Sequence, residues 1–247
     1  MAMDTLPPFH RTALMLDMDG TLIDLGPTPD AVVVTPGLTD TLVSLRIRLG
    51  GALAVVTGRP IETVDRLLGA APGAVAGEHG GAIRHAPDAA IERPDLPSPP
   101  AVWVEAAEAL AAAFPGALLE HKARGFALHY RLAPSAGPVF HAVLRALIAG
   151  SSGFQLLPAH MLWEIRPLGT DKGRAVEALM ARAPFSGRLP VFIGDDVTDE
   201  DGMRAARELG GAGFRVDTAF RDTNGVRSWL SRSALAGDWA PMLEDER

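Results

Sequence analysis

Residues 13–21 read ALMLDMDGT, an apolar run that ends in two aspartates, a glycine and a threonine. Four consecutive apolar residues predict a strand that is buried on both faces, as in a parallel sheet. Asp17 and Asp19 are two positions apart, so their side chains point to the same side of the chain. Carboxylates that close repel each other unless a cation holds them, and Mg²⁺ binds carboxylates together with substrate phosphate. The stretch predicts a magnesium site, although a turn built on Asp and Gly gives a similar pattern.

Polar residues follow in the same way at three other points of the predicted α/β pattern. Thr57 and Gly58 come after the apolar run 53–56 and suit a phosphate oxygen. Lys172 opens a helix, where it could meet an anion near the N-terminus. Asp195 ends the apolar run 191–194 and could complete the metal site. Open α/β sheets gather their sites at such strand ends. Taken singly, Thr57 also fits a turn and Lys172 a solvated side chain.

The acidic residues beyond Asp195 allow two interpretations. Asp196 and Asp199 are candidates for residues that contact the metal ligands and hold them in place. Thr198 instead predicts a helix cap, and acids are favoured in the first turn of a helix. We expect the helix explanation to hold for Glu200 and Asp201. For Asp199 both explanations remain open.

A proline-rich segment near residues 86–100 predicts a boundary between two modules. Residues 1–90 and 167–247 have the alternating strand and helix pattern of a parallel α/β domain. Residues 91–166 contain two helical stretches and alternating strands, including a predicted hairpin at 118–131 with Gly125 near its turn. Alternation predicts an antiparallel sheet with one open face. The expected architecture is an α/β core interrupted by an inserted α+β module.

Composition excludes several classes of function. The chain has 247 residues, of which 47% are hydrophobic, and a formal net charge of -7, which argues against nucleic acid or an anionic membrane as partner. It has no cysteine, so thiolate metal sites and cysteine nucleophiles are excluded. The N-terminus lacks the pattern of a signal peptide, and we expect a cytoplasmic monomer that binds no membrane. Among 23 basic residues only Lys122 and Lys172 are lysines, so we consider each individually.

Together, Asp17, Asp19, Thr57, Lys172 and the pair at 195–196 resemble the four motifs of the haloacid-dehalogenase superfamily. The resemblance implies a Rossmann-like parallel-sheet core with an inserted cap. It makes Asp17 the nucleophile and Asp19 the general acid and base. It also implies that Mg²⁺ is bound by the carboxylates of Asp17 and Asp195 and by the backbone carbonyl of Asp19. The phosphoryl oxygens would then be held by Thr57, Gly58 and Lys172.

Within that superfamily the chain is similar to trehalose-6-phosphate phosphatases over about residues 12–230. This resemblance implies that Glu120, Lys122, Arg131 and Glu164 bind the disaccharide of the sugar phosphate. Thr57 stands where many members of this group carry serine, which keeps the hydroxyl. The segments that carry the resemblance are 77–80, 120–122, 129–131, 163–167, 169–173 and 194–201.

Two kinds of alternative remain open. The same chemistry could act on another sugar phosphate, such as sucrose phosphate or a mannosyl phosphoglycerate, or belong to a hexose-phosphate mutase. Alternatively, the chain could be a non-catalytic sugar-phosphate sensor or a subunit of a synthase complex. Against the second, a sensor need not retain both a nucleophile and an acid such as Asp17 and Asp19.

Overall fold

A computed structural model of the chain describes residues 5–28 and 31–242. These residues form two compact units. The first contains residues 5–26, 31–92 and 171–242, and the second contains residues 93–170 together with 27 and 28. We expected the inserted module at 91–166. Its last strand ends at Pro167, and the hydroxyl of Thr170 donates to the Pro167 carbonyl at 2.9 Å, so residues 167–170 go with the second unit.

The helices and strands are named here in chain order. The first part of the chain has β1 (Thr12–Leu16), α1 (Leu38–Arg48), β2 (Leu53–Val56), α2 (Ile61–Leu68), β3 (Ala74–Gly77) and β4 (Ala82–Arg84). The second unit has α3 (Ala101–Ala113), β5 (Leu118–Lys122), β6 (Gly125–His129), α4 (Gly137–Ile148), β7 (Phe154–Ala159) and β8 (Leu162–Pro167). The chain then continues with α5 (Lys172–Met180), β9 (Leu189–Gly194), α6 (Asp199–Glu208), β10 (Ala212–Arg215), α7 (Val216–Ala219) and α8 (Thr223–Ala236).

The first unit is built on a six-stranded sheet in the order β10-β9-β1-β2-β3-β4. The first five of these strands are parallel, and β4 pairs antiparallel with β3. All five residues of β1 are buried, because Leu14 and Leu16 enter one apolar core while Ala13 and Met15 enter the other. A strand with an apolar core on each face is the α/β arrangement that the sequence predicted, and the fold class is confirmed.

The second unit is a four-stranded antiparallel sheet in the order β5-β6-β8-β7 with helices on one face. Its apolar face includes Phe126 and Ile165, which pack with residues of α3 and α4. On the other face, Glu120, Ala127 and Glu164 lie side by side on three neighbouring strands. The predicted hairpin and a polar face opposite the helices are therefore present, but Glu164 on that face is buried rather than open to solvent.

In the part of the chain that the structure describes, no helix is both long enough and apolar enough to cross a bilayer.

Candidate active site

The predicted polar residues of the first unit meet at one edge of its sheet. Asp17 directly follows β1, Thr57 follows β2 and Asp195 follows β9, and these three strands are parallel neighbours. The backbone amide of Asp17 donates to the carbonyl of Ile193 in β9 at 2.9 Å, which fixes Asp17 beside the adjacent strand. Carboxyl ends of parallel strands share an edge, so residues far apart in sequence become neighbours.

Lys172 binds two carboxylates in the interior of this unit. Its Nζ atom donates to Oδ1 of Asp17 and to Oδ1 of Asp199, each at 2.6 Å. The exposed fractions of the three side chains are 3%, 5% and 0%. The explanation of Lys172 as a solvated surface residue is therefore wrong, and the ammonium group replaces lost water by two charge-assisted hydrogen bonds.

Asp17 and Asp195 lie close to each other, with Thr21 between them. The Thr21 hydroxyl is 3.3 Å from Oδ2 of Asp17 and 3.4 Å from Oδ1 of Asp195, so it can donate to either. Gly20 makes the approach of Asp195 feasible, because a Cβ atom there would lie 2.2 Å from Oδ2 of Asp195. Its φ of +78° also favours glycine. Glycine follows the two aspartates for both reasons.

The buried acids carry more negative charge than Lys172 compensates. Burial raises the pKa of the Asp17 carboxyl well above its ordinary value, and the nearby charge of Asp199 acts in the same direction. Burial also raises the pKa of Asp195 to about 6, again with a contribution from Asp199. For Lys172, burial would lower the pKa, but the charges of Asp17 and Asp199 raise it above its ordinary value. Lys172 therefore remains a cation among three carboxylates.

Three acids could hold a metal ion. Oxygen atoms of Asp17, Asp195 and Asp199 all lie within 4.8 Å of one another. Three carboxylates and one ammonium have a formal charge of -2, which a divalent cation would offset. An all-oxygen donor set is the kind that Mg²⁺ accepts. The residues present therefore fit the ion that the sequence predicted.

Asp199 has a different environment from Asp195. Its Oδ2 accepts hydrogen bonds from the backbone amides of Asp195 at 3.1 Å and Asp196 at 2.9 Å, while its Oδ1 accepts from Lys172. Because both oxygens are already engaged, Asp199 orients the Asp195 loop and Lys172. Asp196 is half-buried, and its carboxylate accepts from the next backbone amide, that of Val197.

The helix explanation holds for the exposed acids that follow. Glu200 and Asp201 lie in the first turn of α6 and pair with Arg215 and Arg204, each at 2.7 Å. The predicted cap at Thr198 is wrong in one respect: its side chain makes no capping hydrogen bond, and its backbone is already helical. The buried Asp199 carboxylate supplies the local acceptor instead.

The segment after β2 is tightly held. The hydroxyl of Thr57 is buried and accepts a hydrogen bond from the backbone amide of Arg59 at 3.2 Å. The ring of His79 lies against Gly58, where a Cβ atom would be 2.5 Å from Nε2. A side chain at position 58 would require the buried ring of His79 to shift, which favours glycine there.

Asp19 lies beside a partner that the sequence did not identify. Its carboxylate binds Arg59 through two hydrogen bonds of 2.6 Å, from Nε to Oδ2 and from Nη2 to Oδ1. Asp19 is not among the three acids grouped above. Arg59 directly follows Thr57 and Gly58 in the chain, but in an arginine-rich sequence nothing about it suggested a role. Only the fold brings it to Asp19.

In the second unit, the polar face of the sheet contains an ion pair and a contact between a histidine and a carboxylate. Lys122 donates to Oε1 of Glu164 at 2.7 Å, and Nε2 of His129 is 2.9 Å from Oε2 of Glu120. Glu164 and Lys122 are nearly inaccessible, with exposed side-chain fractions of 4% and 8%. The fourth predicted residue, Arg131, is half-buried and lies just beyond the end of β6.

These pairs leave the charges on this face nearly balanced. Burial opposes ionisation of Glu120, but the hydrogen bond with His129 and the charge of Lys122 lower its pKa below the ordinary value. Burial would lower the pKa of Lys122, but Glu164 and Glu120 raise it. The face thus contains a salt bridge between Lys122 and Glu164, and both of these side chains are buried.

Comparison with known proteins gives a consistent result. The family model described as trehalose-phosphatase matches residues 15–235. A probable trehalose-phosphate phosphatase of Sinorhizobium fredii is 40% identical over 230 residues, which cover 91% of this chain and 85% of that protein. The trehalose-6-phosphate phosphatase of Escherichia coli is 35% identical over 242 residues, with 92% and 88% covered.

A solved structure supports the same fold. The C-terminal domain of a trehalose-6-phosphate phosphatase from C. albicans superposes with a TM-score of 0.71 at 20% identity, covering 81% of this chain and 74% of that chain. At that identity the likeness supports the fold alone. The family match spans most of the chain and includes both units. This chain, with its core of the haloacid-dehalogenase type, therefore belongs to the trehalose-phosphatase family.

Proposed function

We propose that this protein hydrolyses trehalose 6-phosphate to trehalose and phosphate with the help of Mg²⁺, through a phosphorylated Asp17. The observation that carries the chemistry is the buried Asp17 carboxylate, hydrogen-bonded to Lys172 at 2.6 Å and grouped with Asp195 and Asp199. The sugar is proposed from family membership and from the names of the relatives. Buried carboxylates with shifted pKa values are typical of catalytic sites.

In the first step, an oxygen of Asp17 attacks phosphorus and the bond from phosphorus to the sugar oxygen breaks. Asp19 donates a proton to that sugar oxygen, so trehalose leaves as a neutral alcohol. In the second step water adds to phosphorus, Asp19 takes its proton, and the bond between phosphorus and Asp17 breaks. Asp19 ends protonated and Asp17 ionised, which restores the starting state.

Three side chains have suitable chemistry for the transferring phosphoryl group. Lys172 is a buried point charge beside Asp17, which suits a phosphate oxygen. Thr57 has a buried hydroxyl. Gly58 would contribute its backbone amide, at a position that has no side chain. We propose that these three hold the phosphoryl oxygens while Asp17 attacks.

The metal would be held by the carboxylates of Asp17 and Asp195 and by the backbone carbonyl of Asp19. Asp199 and Asp196 would support that site. Asp199 does so by accepting hydrogen bonds from the backbone amides of Asp195 and Asp196 and from Lys172. Mg²⁺ bound there supplies positive charge that lets an anionic carboxylate approach an anionic phosphate.

The disaccharide is proposed to bind the polar face of the second unit. Glu120 and Glu164 offer oxygens that accept from sugar hydroxyls, while Lys122 and Arg131 donate. In the structure Lys122 already binds Glu164, and Glu120 binds His129, so Lys122, Glu164 and Glu120 are held in defined positions. Preorganised groups lose less conformational entropy when a ligand binds.

A panel of phosphate esters tests the proposal. Phosphate release with Mg²⁺ is measured from trehalose 6-phosphate, sucrose phosphate, a mannosyl phosphoglycerate and an aryl phosphate, with Asp17→Asn as the contamination control. We expect the highest kcat/KM for trehalose 6-phosphate. A clear preference for another ester would contradict the sugar, and release from none of them would contradict the enzyme itself and favour a sensor.

We also propose that the protein acts as a cytoplasmic monomer on this diffusible sugar phosphate. Light scattering of the purified chain should give about the mass of one chain, 26.0 kDa. A mass of two or more chains would contradict the monomer.

A further inference from the structure

The contact between Arg59 and Asp19 has the geometry of a fixed fork. Nε and Nη2 of Arg59 each lie 2.6 Å from a different oxygen of Asp19, and the exposed side-chain fractions are 10% and 27%. Two parallel bonds fix both the position and the plane of a carboxylate, whereas a single bond leaves it free to rotate. Each oxygen still has a second lone pair available for proton transfer.

Arg59 is itself anchored at the edge of the site. Its backbone amide donates to the Thr57 hydroxyl at 3.2 Å, and its carbonyl accepts from the amide of Glu78 at 3.0 Å. Arg59 thus connects the segment after β2 to the carboxylate that follows β1. A rigid anchor matters because a general acid must lie within hydrogen-bond reach of the leaving oxygen.

We propose that Arg59 is a positioning residue that holds the Asp19 carboxylate in the orientation from which it protonates the leaving oxygen. This inference rests on the proposed role of Asp19 and adds a residue to which no role was assigned. Arg59 touches Asp19 and does not itself transfer the proton. Its loss should therefore matter in proportion to how much the leaving group needs a proton.

The test uses aryl phosphates whose phenols increase in basicity, because a weakly basic phenolate leaves without a proton and a strongly basic one does not. The value of kcat/KM is measured for wild type, Arg59→Lys, Arg59→Gln and Asp19→Asn. This parameter covers the steps up to departure of the leaving group. Lysine keeps the charge of Arg59 but cannot form the two-bond fork.

Arg84→Lys is the matched control. Arg84 also forms a fork to one carboxylate, with Nη1 2.7 Å and Nη2 2.5 Å from the oxygens of Asp65, and its side chain is also 10% exposed. Its acceptor has no proposed role in catalysis. Replacing it therefore reproduces the loss of a buried arginine fork without touching the proposed acid.

We expect the loss in both Arg59 variants to grow from less than about threefold for the least basic phenol to about 10- to 100-fold for the most basic, since a misplaced acid forfeits much of its contribution. Arg84→Lys should run parallel to wild type. In the Asp19→Asn background, Arg59→Lys should add no further dependence on the leaving group, because the two residues act as one unit.

Equal losses across the series in the Arg59 variant that folds, judged by circular dichroism and thermal unfolding, would overturn the assignment of Arg59. If Asp19→Asn itself showed no dependence on the leaving group, the proposed role of Asp19 would fail and this inference with it. The aryl series contains no sugar, so failure of trehalose 6-phosphate as substrate would leave the result for Arg59 intact.

Discussion

The only two lysines of the chain lie in two buried polar regions, one in each unit, and the regions differ in charge. Lys172 in the first unit binds Asp17 and Asp199 at 2.6 Å, with Asp195 nearby as a third carboxylate. Lys122 in the second unit donates to Glu164 at 2.7 Å, with the charge of Glu120 nearby. The distances and burial of the two ammonium groups are similar, so the difference lies in the groups that accompany each pair of acids: a third carboxylate, Asp195, in the first region, and His129, bonded to Glu120, in the second.

Because of that difference, the region in the first unit needs an added cation to balance its carboxylates, whereas the region in the second unit is balanced by its own basic side chains. In the first region burial raises the pKa of Asp195 to about 6, and the like charge of Asp199 acts in the same direction. In the second region the pKa of Glu120 is lowered, because His129 and Lys122 outweigh its burial. The first region is thus suited to a metal and phosphate, and the second to neutral hydroxyls that exchange with existing partners.

The largest expected effect comes from removing the central carboxylate of the first region. Asp17→Asn should lower phosphate release by more than about 10³-fold, because an amide cannot form the acyl-phosphate. Asparagine has nearly the same size and can still accept from Lys172, so circular dichroism should be unchanged. A folded, uncontaminated variant with more than a few per cent of wild-type activity would refute Asp17 as nucleophile.

The second prediction tests whether the excess charge exists to bind metal. EDTA should remove activity, Mg²⁺ should restore it, and Ca²⁺ should fail, because Ca²⁺ prefers more ligands and looser geometry. Asp195→Asn should lower activity at limiting Mg²⁺ by roughly 10²- to 10³-fold, since it removes a proposed ligand of the ion. Full activity after exhaustive dialysis against EDTA would contradict the metal altogether.

In the absence of metal, Asp195→Asn should maintain or increase the thermal stability of the protein, although it lowers activity in the presence of Mg²⁺. A carboxyl whose pKa is raised from 3.8 to about 6 on folding binds its proton more tightly in the folded state. The contribution of Asp195 to the free energy of unfolding in EDTA, measured as the difference between wild type and Asp195→Asn, should therefore fall as pH rises from about 4 to about 6. Asp195→Asn removes that penalty, so in EDTA at pH 7.5 its Tm should equal or exceed that of wild type. Mg²⁺ should raise the Tm of wild type only. A lower Tm for the variant in EDTA would show that Asp195 is not under repulsion.

The sequence predicted the edge of the sheet well for a physical reason. Asp17, Thr57 and Asp195 each end an apolar run, and runs buried on both faces form parallel strands whose carboxyl ends meet. The edge strand β4 and the short strand β10 have no comparable run, so their pairing depends on the neighbouring strand rather than on local pattern.

Partner choice among the polar residues could not be predicted. Asp199 and Asp201 are both acids near the start of one helix, yet the first is fully buried against Lys172 and the side chain of the second is 42% exposed. The fork between Arg59 and Asp19 joins residues 40 positions apart. Such pairs depend on how two strand ends and a helix approach each other, and no periodicity in the sequence encodes that approach.

The fourth prediction tests the charge-balanced region of the second unit. If Glu120 and Lys122 bind sugar hydroxyls, replacing either by alanine loses a bond of about 1.5–3 kcal/mol. At 1.36 kcal/mol per tenfold, kcat/KM for trehalose 6-phosphate should fall roughly 10- to 150-fold. Slow hydrolysis of a small aryl phosphate should change much less, because it carries no sugar. The measurement is the ratio of the two losses.

His121→Ala is the control for that ratio. His121 lies between the two residues on β5 but its side chain is 60% exposed, with only a 3.6 Å contact to Glu108. Its removal should change neither substrate appreciably. Because Lys122→Ala leaves the buried Glu164 without that partner, thermal unfolding is measured in parallel and assays run well below Tm. A ratio near one for both alanine variants would contradict a role in binding sugar.

The smallest effect is expected for Asp201→Asn, which tests how far the charged region of the first unit extends. Asp201 follows Asp199 by two residues, but its side chain is 42% exposed and paired with Arg204 at 2.7 Å. Water and salt screen such a charge, since the Debye length is about 10 Å at 0.1 M salt. Asp201→Asn should therefore change the Mg²⁺ concentration for half-maximal activity by less than about twofold. It should lower Tm by about 1–2 °C, as expected for losing an acid from the first turn of a helix. A tenfold rise in the Mg²⁺ concentration for half-maximal activity would mean that carboxylates beyond Asp17, Asp195 and Asp199 also act on the metal. The charge difference between the two regions would then not be confined to their buried residues.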